Sequence, residues 1–339
     1  MEEAPFFAEL ANGPEGGAAW WLQTEDGIRI RIGLWNRAAP GGTVLLFPGR
    51  TEYIEKYGHT ARQLAERGFA TLAVDWRGQG IADRLIKDPA TGHVHDFLDY
   101  QKDVKAMLEA ASELGLPQPF YLLAHSMGGC IGLRALHEGL PVCAAVFTGP
   151  MWNIQLAATV RPFARALARV GTLFGFGQHY APGTNAESYV ATAPFEDNSL
   201  TRDRATWDYM KSHLSAHPEF CLGGPSLRWL DEALHECGAL LDMPAPKIPA
   251  LAFLGDNERI VDSARVHTLM DRWPNGELIV VENGEHEVLM DTPATQTMIF
   301  DKIAALFSNN TTPPRTAEPP PAPLVHPAPR PSRFSPRYL

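Results

Sequence analysis

The chain has few cysteines, no excess of positive charge and no long apolar run. Its four cysteines lack CxxC spacing, which argues against a disulfide framework or thiolate metal site and predicts reduced, mostly buried thiols. The formal net charge is -10, so nucleic acid is not an expected partner, because phosphate binding requires a dense cationic face. No run of about 18 apolar residues is found, and the segment MEEAPFFAEL lacks a signal-peptide core. These absences predict a cytoplasmic protein.

Short apolar runs alternate with helical patterns along much of the chain. The runs TVLLF, FATLAVD, FYLLAH, AAVFTG, ALAFLG and ELIVVEN are typical of strands buried on both faces of a parallel sheet. Ahead of them, AAWWLQT and IRIRIGLWN flank EDG, which predicts an antiparallel hairpin whose alternating IRIRI strand is half-exposed. We therefore expect an α/β fold with a mostly parallel, eight-stranded sheet and an antiparallel N-terminal hairpin.

The alternation of strands and helices is interrupted once and stops before the end of the chain. Residues 151–246 form too long a segment for a loop and are rich in helix formers and aromatic residues. We predict that they form a helical cap over the carboxyl ends of the strands, where open α/β sheets bind ligands. Residues 1–150 and 247–307 then make the core. Residues 308–339 are proline-rich and predict a disordered tail.

A single serine separates the run FYLLAH from a helical pattern that begins with glycines. Small residues, Ala124 and Gly128, stand two positions before and two positions after Ser126. A nucleophile on a strained strand-turn-helix requires small residues at both places, and glycine is the more usual residue at the first. The short string alone is a weak signal, but its position between a buried strand and a helix predicts that Ser126 is a nucleophile.

A base and an acid are expected after later strands. His286 lies in a loop directly after the last predicted strand, which is where the base stands in this architecture. Asp256, Glu258 and Asp262 all follow ALAFLG and compete as the acid. The spacing from the glycine that ends the strand favours Glu258, although aspartate is the more usual residue type, and Asp256 and Asp262 remain alternatives.

Acyl transfer also needs two backbone N–H groups that stabilise the oxyanion. We predict one from Met127, directly after the serine, and one from Arg50 in the loop PGRTEYIEKYG, where Gly49 allows the chain to turn; a plain turn is the alternative for this loop. His93 and His95, with Asp96, resemble a metal pair only loosely, and no third ligand is convincingly spaced. Acyl transfer by a serine, a base and an acid requires no metal and no organic cofactor, so we expect neither.

Asp75 and His125 carry reactive groups, but their positions predict structural roles. Asp75 ends a strand that precedes the serine in the chain, so we expect it to brace a turn. His125 neighbours the serine, yet a nucleophile turn projects adjacent side chains in different directions.

Longer segments resemble a known family. LLFPGRTEYIEKYG, VDWRGQGIADRL, GHVHDFLDYQKDV, LLAHSMGG and GDNERIVD resemble the bacterial lysophospholipases of the α/β-hydrolase fold, in the monoacylglycerol-lipase-like branch that is grouped with the serine aminopeptidases. The resemblance covers roughly residues 20–307. It implies a Ser126–Glu258–His286 triad, with Arg50 and Met127 as oxyanion donors.

The resemblance implies a serine hydrolase that cleaves carboxylic esters of lipids, most of all lysophospholipids or monoacylglycerols, through an acyl-enzyme. Two other functions remain open. An aminopeptidase-like hydrolase would hold a substrate amino group with carboxylates of the cap, and a non-catalytic protein would bind partners through the proline-rich tail.

One segment of the predicted cap, RPFARALARVGTLFGF, bears on where the protein acts. Arg161, Arg165 and Arg169 recur every four residues and therefore share one face of a helix. This face is either simply solvated or makes peripheral contact with anionic lipid, such as the inner membrane.

Overall fold

The computed structural model describes residues 1–155 and 161–312, with the backbone alone for residues 161–165. Within this part of the chain a single sheet has the strand order β1-β2-β3-β5-β4-β6-β7-β8-β9. The strands are β1 (Glu2–Glu3), β2 (Ala18–Gln23), β3 (Arg29–Trp35), β4 (Thr43–Phe47), β5 (Ala70–Asp75), β6 (Phe120–His125), β7 (Ala145–Thr148), β8 (Ala250–Gly255) and β9 (Gly276–Val281).

The pairing of the strands divides the sheet into an antiparallel and a parallel part. The first three strands pair antiparallel, and β3 pairs antiparallel with β5. From β5 through β4 to β9 all neighbours are parallel. The predicted fold class and the N-terminal hairpin are thus confirmed.

The described sheet has nine strands rather than the eight expected. The additional strand, β1, is formed by Glu2 and Glu3, which pair with Trp21 and Trp20 of β2. Two exposed acidic residues carry neither an apolar run nor an alternation, so no sequence pattern indicates this strand.

Helices cover both faces of the sheet. They are α1 (Ala8–Ala11), α2 (Gly58–Glu66), α3 (Asp99–Glu113), α4 (Met127–His137), α5 (Arg161–Leu173), α6 (Tyr189–Thr192), α7 (Arg204–Ala216), α8 (Leu227–Asp242), α9 (Ser263–Met270) and α10 (Pro293–Asn309). Leu45 and Phe47 of β4 belong to one apolar cluster, whereas Val44 and Leu46 belong to the cluster on the opposite face. This two-sided burial explains why the central strands are continuously apolar.

In the described part of the chain, four α-helices, α5 to α8, and a short 3-10 helix, Pro218–Phe220, lie between β7 and β8, in the segment where a cap is predicted. Helix α8 has two apolar faces. Trp229, Ala233 and Cys237 pack into the main core, while Leu227 and Leu230 form a small cluster with α5 and neighbouring residues. The helix therefore connects the insertion to the sheet domain.

The C-terminal helix α10 continues to Asn309, past the predicted end of the core at residue 307. Most of the predicted tail, residues 313–339, lies outside the described residues. Within the described part, no helix is both long and apolar enough to cross a bilayer.

The prediction that the IRIRI strand is half-exposed is wrong at Arg31, which is fully buried. Its guanidinium bonds Asp75 Oδ2 at 2.8 Å and both carboxylate oxygens of Glu55 at 2.8 and 2.7 Å, and it also donates to the carbonyl of Pro5. The N-terminal segment and the loop that contains Glu55 cover this face of β3, which a strand pattern by itself does not reveal.

Asp75 accepts hydrogen bonds from the backbone N–H groups of Ile54 and Ile81 at 2.8 and 3.0 Å. The carboxylate therefore braces two loops, as predicted, and also pairs with a buried cation. Both loops follow strands at the edge of the sheet that carries the candidate site.

Replacing Arg31 by Met tests this buried ion pair. The variant leaves two carboxylates buried without their cation, so we expect a loss of about 3–5 kcal/mol in the free energy of unfolding, measured by urea denaturation. Arg29→Met on the same strand is the control, because the Arg29 side chain is 51% exposed and should contribute less than about 1 kcal/mol. Equal effects of the two substitutions would contradict this account.

Candidate active site

Ser126 occupies a strained turn between the end of β6 and the start of α4. Its φ and ψ are 50° and -118°, in a region that non-glycine residues rarely adopt and that is typical of a nucleophile turn. Its N–H donates to the carbonyl of Thr148 at 3.0 Å. Its carbonyl accepts from the N–H groups of Gly129 and Met151, each at 2.8 Å. Hydrogen bonds on both sides therefore hold the strained conformation.

Two glycines make the space that this turn requires. A Cβ at Gly128 would lie 2.1 Å from the carbonyl oxygen of Phe47, so a larger residue would push α4 away from β4. Gly149, with φ of 48°, would place a Cβ 2.9 Å from His286 Nδ1. The imidazole can occupy its position only because this side chain is absent.

The imidazole of His286 connects the serine to a carboxylate. Its Nε2 lies 2.9 Å from Ser126 Oγ, and its Nδ1 lies 2.7 Å from Glu258 Oε2. An ionised carboxylate only accepts hydrogen bonds, so Nδ1 carries the proton and Nε2 is left to accept from the serine hydroxyl. The ring is 3% exposed, which shields this chain of hydrogen bonds from water.

Of the three competing carboxylates, Glu258 is the one beside the imidazole. Its Oε1 accepts from the N–H groups of Ile260 and Val261 at 2.7 and 3.1 Å. Burial would raise the pKa of Glu258, but the His286 imidazole and the two N–H groups together hold it below its ordinary value. The carboxyl group therefore stays ionised at neutral pH.

The two alternative acids lie elsewhere. Asp256 is exposed. Asp262 precedes α9, and its Oδ2 accepts from Asn153 Nδ2 at 3.1 Å. Both residues follow the same strand as Glu258, so spacing along the sequence did not exclude either of them as the acid.

The predicted oxyanion donors have free N–H groups in the part of the chain that the structure describes. Met127 is the first residue of α4, so its N–H has no partner within the helix. In the loop after β4, the N–H of Gly49 donates to Glu52 and that of Thr51 donates to Gln79 Oε1. The N–H of Arg50, between them, makes no hydrogen bond to a described residue.

A buried charge network lies next to these groups, and sequence reasoning missed it. Lys56 Nζ contacts Glu52 Oε1 and lies 2.6 Å from Glu287 Oε1. Tyr57 donates its hydroxyl hydrogen to Glu52, and His125 Nε2 lies 3.3 Å from Glu287 Oε2. The network joins the Arg50 loop, the residue before the serine and the residue after His286. In the sequence, only the positions of His125 and Glu287, directly beside Ser126 and His286, could have indicated this network.

Glu52, His125 and Glu287 lie within 4.8 Å of one another, a spacing that could hold a metal ion. The Lys56 ammonium bonds both carboxylates and already supplies the compensating positive charge, so the cluster is an ion-pair network. The other histidine pair considered from sequence also makes protein contacts, because His93 Nδ1 lies 2.8 Å from Ser226 Oγ.

A cavity of about 610 Å³ opens above Ser126 and His286. Arg50, Glu52, Lys56 and Glu287 reach its wall. Apolar side chains make up much of the rest, including Met151, Ile154, Met210, Leu214, Trp229 and Leu230. The arrangement therefore joins a serine–imidazole–carboxylate chain to a largely apolar binding space.

A serine on a strained strand-turn-helix, followed in the chain by a carboxylate and a histidine after later parallel strands, defines an α/β-hydrolase. The chain belongs to the serine aminopeptidase family, S33, whose profile matches residues 38–293. The resemblance found in the sequence is thus confirmed, and the chain is a hydrolase by family and fold.

Two bacterial relatives and one solved structure illustrate the similarity. Lysophospholipase L2 of Escherichia coli is 30% identical over 333 residues, which cover 91% of this chain and 94% of that protein. A probable lysophospholipase L2 of Haemophilus influenzae is 30% identical over 250 residues, covering 73% and 78%. The structure of a soluble variant of monoglyceride lipase from Saccharomyces cerevisiae, with a substrate analog, superposes with a TM-score of 0.65 at 19% identity, covering 86% and 95%.

The charge network predicts a pH dependence of stability. Burial would lower the pKa of His125, but Glu287 and Glu52 raise it above its ordinary value of 6.5. The stabilisation that a raised pKa confers is complete below the unfolded-state pKa and disappears as pH rises through the folded-state pKa. His125→Gln should therefore lower the free energy of unfolding more at about pH 5.5 than at about pH 9.

His59→Gln is the matched control for this measurement, because burial and then Arg62 lower the pKa of His59. Because the pKa of His59 is lowered and not raised, its pH dependence has the opposite direction, and wild type should gain stability relative to His59→Gln as pH rises. Chemical denaturation at both pH values measures the two differences. Parallel pH trends for the two variants would show that the surroundings of His125 do not favour its charged form.

Proposed function

We propose that this chain hydrolyses carboxylic esters of lipids, with lysophospholipids and monoacylglycerols as the candidate substrates. The observation that carries the proposal is the continuous hydrogen-bond chain from Glu258 through His286 to Ser126, with contacts of 2.7 and 2.9 Å, at the base of an apolar cavity. The relatives named lysophospholipase and monoglyceride lipase support the choice of lipid esters.

In the proposed mechanism, His286 Nε2 takes the hydroxyl proton as Ser126 Oγ attacks the ester carbonyl. Glu258 holds the imidazole in the required tautomer and stabilises its cation. The carbonyl oxygen, now negative, accepts from the N–H groups of Arg50 and Met127, each worth about 3 kcal/mol of the barrier. The alcohol leaves with the proton from His286. Water then attacks the acyl-enzyme while His286 takes its proton, and His286 returns that proton to Ser126 Oγ as the acyl–Oγ bond breaks and the fatty acid is released.

The apolar part of the cavity wall favours an acyl chain over a polar substituent. Met151, Ile154, Met210 and Leu214 present apolar surface, and each methylene buried there contributes about 0.8 kcal/mol to binding. The structure thus provides a reason for preferring long-chain esters to acetate esters.

An aminopeptidase requires a carboxylate that can hold the substrate ammonium group. Of the carboxylates on the cavity wall, Glu52 and Glu287 are both bonded to Lys56, so their charge is already compensated. Glu187 also reaches the cavity but is exposed, where water weakens an ion pair. These surroundings favour the ester over the peptide as the substrate.

The choice of Glu258 as the acid is tested with Glu258→Gln. Loss of the carboxylate removes the group that orients His286, so kcat on lysophosphatidylcholine and on a monoacylglycerol should fall by about 10³–10⁴-fold. Asp256→Asn, which removes an exposed charge on the same loop, should stay close to wild type. Ser126→Ala gives the background rate. Retained activity in Glu258→Gln together with its loss in Asp256→Asn or Asp262→Asn would reject the assignment.

We also propose peripheral contact with an anionic membrane surface, such as the inner membrane, through the C-terminal end of α5. Leu173 and Phe174 are 75% and 77% exposed there, and Phe176 is 55% exposed. Arg169 is exposed on the same helix, whereas the side chains of Arg161 and Arg165 lie outside the described residues. Exposed apolar residues beside an exposed arginine fit an interface of acyl chains and anionic headgroups.

Replacing both Leu173 and Phe174 by Ser tests this contact. Each lost apolar side chain should weaken binding by about 1.5–3 kcal/mol, so cosedimentation with vesicles containing phosphatidylglycerol should fall at least about tenfold. Val280→Ser is the control, because Val280 is also exposed, at 49%, but lies on β9. Absence of wild-type binding at low salt, or equal binding by the double variant, would rule out this surface.

A further inference from the structure

Arg50 is a cation without a counter-ion in the wall of the candidate active site. Its Nη2 donates to the carbonyl of Gly223, and its Cζ lies 5.3 Å from the centre of the Trp229 ring. Its Nε is buried and has no acceptor among the described residues. No described carboxylate lies within ion-pair distance of the guanidinium, although Arg50 lines the cavity above Ser126.

Arg31 and Arg77, whose side chains are almost fully buried, are both paired with acids. Arg31 bonds Glu55 and Asp75, and Arg77 bonds Asp103 at 2.7 Å. A buried charge without a partner is costly, and burial lowers the pKa of Arg50 to about 10. The group is still protonated at neutral pH, and because Arg50 is only half-buried and lines the cavity, its charge is open to an anionic ligand there.

The surroundings hold the guanidinium in one place. A Cβ at Gly92 would lie 2.6 Å from Nη2, so the glycine makes room for the group. The Trp229 ring, itself on the cavity wall, lies on another side and provides a cation–π contact. The position is thus fixed before any ligand arrives, which lowers the cost of binding.

An arginine that only connected the sheet domain to the segment between β7 and β8 would not need to line the cavity. Arg84 makes such a tie, since it donates to the carbonyls of Gly80 and Glu219 at 2.8 and 3.0 Å. Its guanidinium also has no described carboxylate partner, but Arg84 does not line the cavity. Arg50 differs in lining the cavity where a substrate would lie, and its Nε has no acceptor among the described residues.

We propose that the Arg50 guanidinium binds the phosphate of a lysophospholipid whose ester carbonyl lies at Ser126, an inference that rests on the ester hydrolysis proposed above. In such a lipid only the glycerol unit separates the ester from the phosphate. One residue then serves both ends of this unit, with its backbone N–H at the carbonyl oxygen and its side chain at the phosphate. A planar guanidinium matches phosphate oxygens with paired N–H groups. Arg50 thereby selects lysophospholipids over monoacylglycerols.

The test compares lysophosphatidylcholine with a monoacylglycerol of the same acyl chain. The measured quantity is the ratio of the two kcat/KM values, which removes any effect of Arg50 on the oxyanion that both substrates share. Arg50→Met should lower this ratio by about 10–100-fold, as expected for the loss of hydrogen bonds to a charged group. Arg50→Lys keeps the charge without the planar donors and should give an intermediate ratio.

Arg84→Met is the matched control and should keep the wild-type ratio. Glycerophosphocholine, which has the phosphodiester but no carboxylic ester, should inhibit wild type competitively and Arg50→Met much less. An unchanged ratio in Arg50→Met, or the same fall in Arg84→Met, overturns this inference alone. A wild-type chain that cleaves neither lipid overturns the proposed function and the inference with it.

Discussion

The hydrogen bond between His286 and Ser126 is the interaction on which the rest of the site depends. It joins the turn after β6 to the loop after β9, which leave the same edge of the sheet, and its 2.9 Å length requires both segments to be fixed. Parallel strands make this possible, because the carboxyl ends of β6, β7, β8 and β9 meet along that edge. Gly149, at the end of β7, supplies the remaining space for the ring.

Buried charges hold the loops around this hydrogen bond. Lys56 joins Glu52, in the loop that contains Arg50, to Glu287, the residue after His286. Arg31 joins Asp75 to Glu55 of the same loop. Each cation faces carboxylates that would be strongly destabilising if left unpaired. These ion pairs therefore help to position the loop, in which Arg50 has no described carboxylate partner and is the charge that we propose binds a ligand.

Sequence patterns predicted the parts of this structure that depend on residues close to one another in the chain. Continuous apolar runs located β4 to β9, and the glycine spacing after β8 favoured Glu258, whose Oε2 lies 2.7 Å from His286. The charge pairs could not be found in this way, because Lys56 and Glu287 are 231 residues apart. The burial of Arg31 could not be predicted for the same reason, because the alternation of residues in a strand does not reveal which distant segments cover its second face. The strand formed by Glu2 and Glu3 has no local signal.

The central claim is that His286 makes the hydroxyl of Ser126 nucleophilic. Treating the full chain with a fluorophosphonate, followed by peptide mass spectrometry, tests it most directly, because such reagents modify activated serines and need no knowledge of the substrate. The account predicts a single adduct on Ser126 in wild type and none in Ser126→Ala. An unlabelled wild-type chain, or equal labelling of Ser126→Ala at another serine, would contradict it.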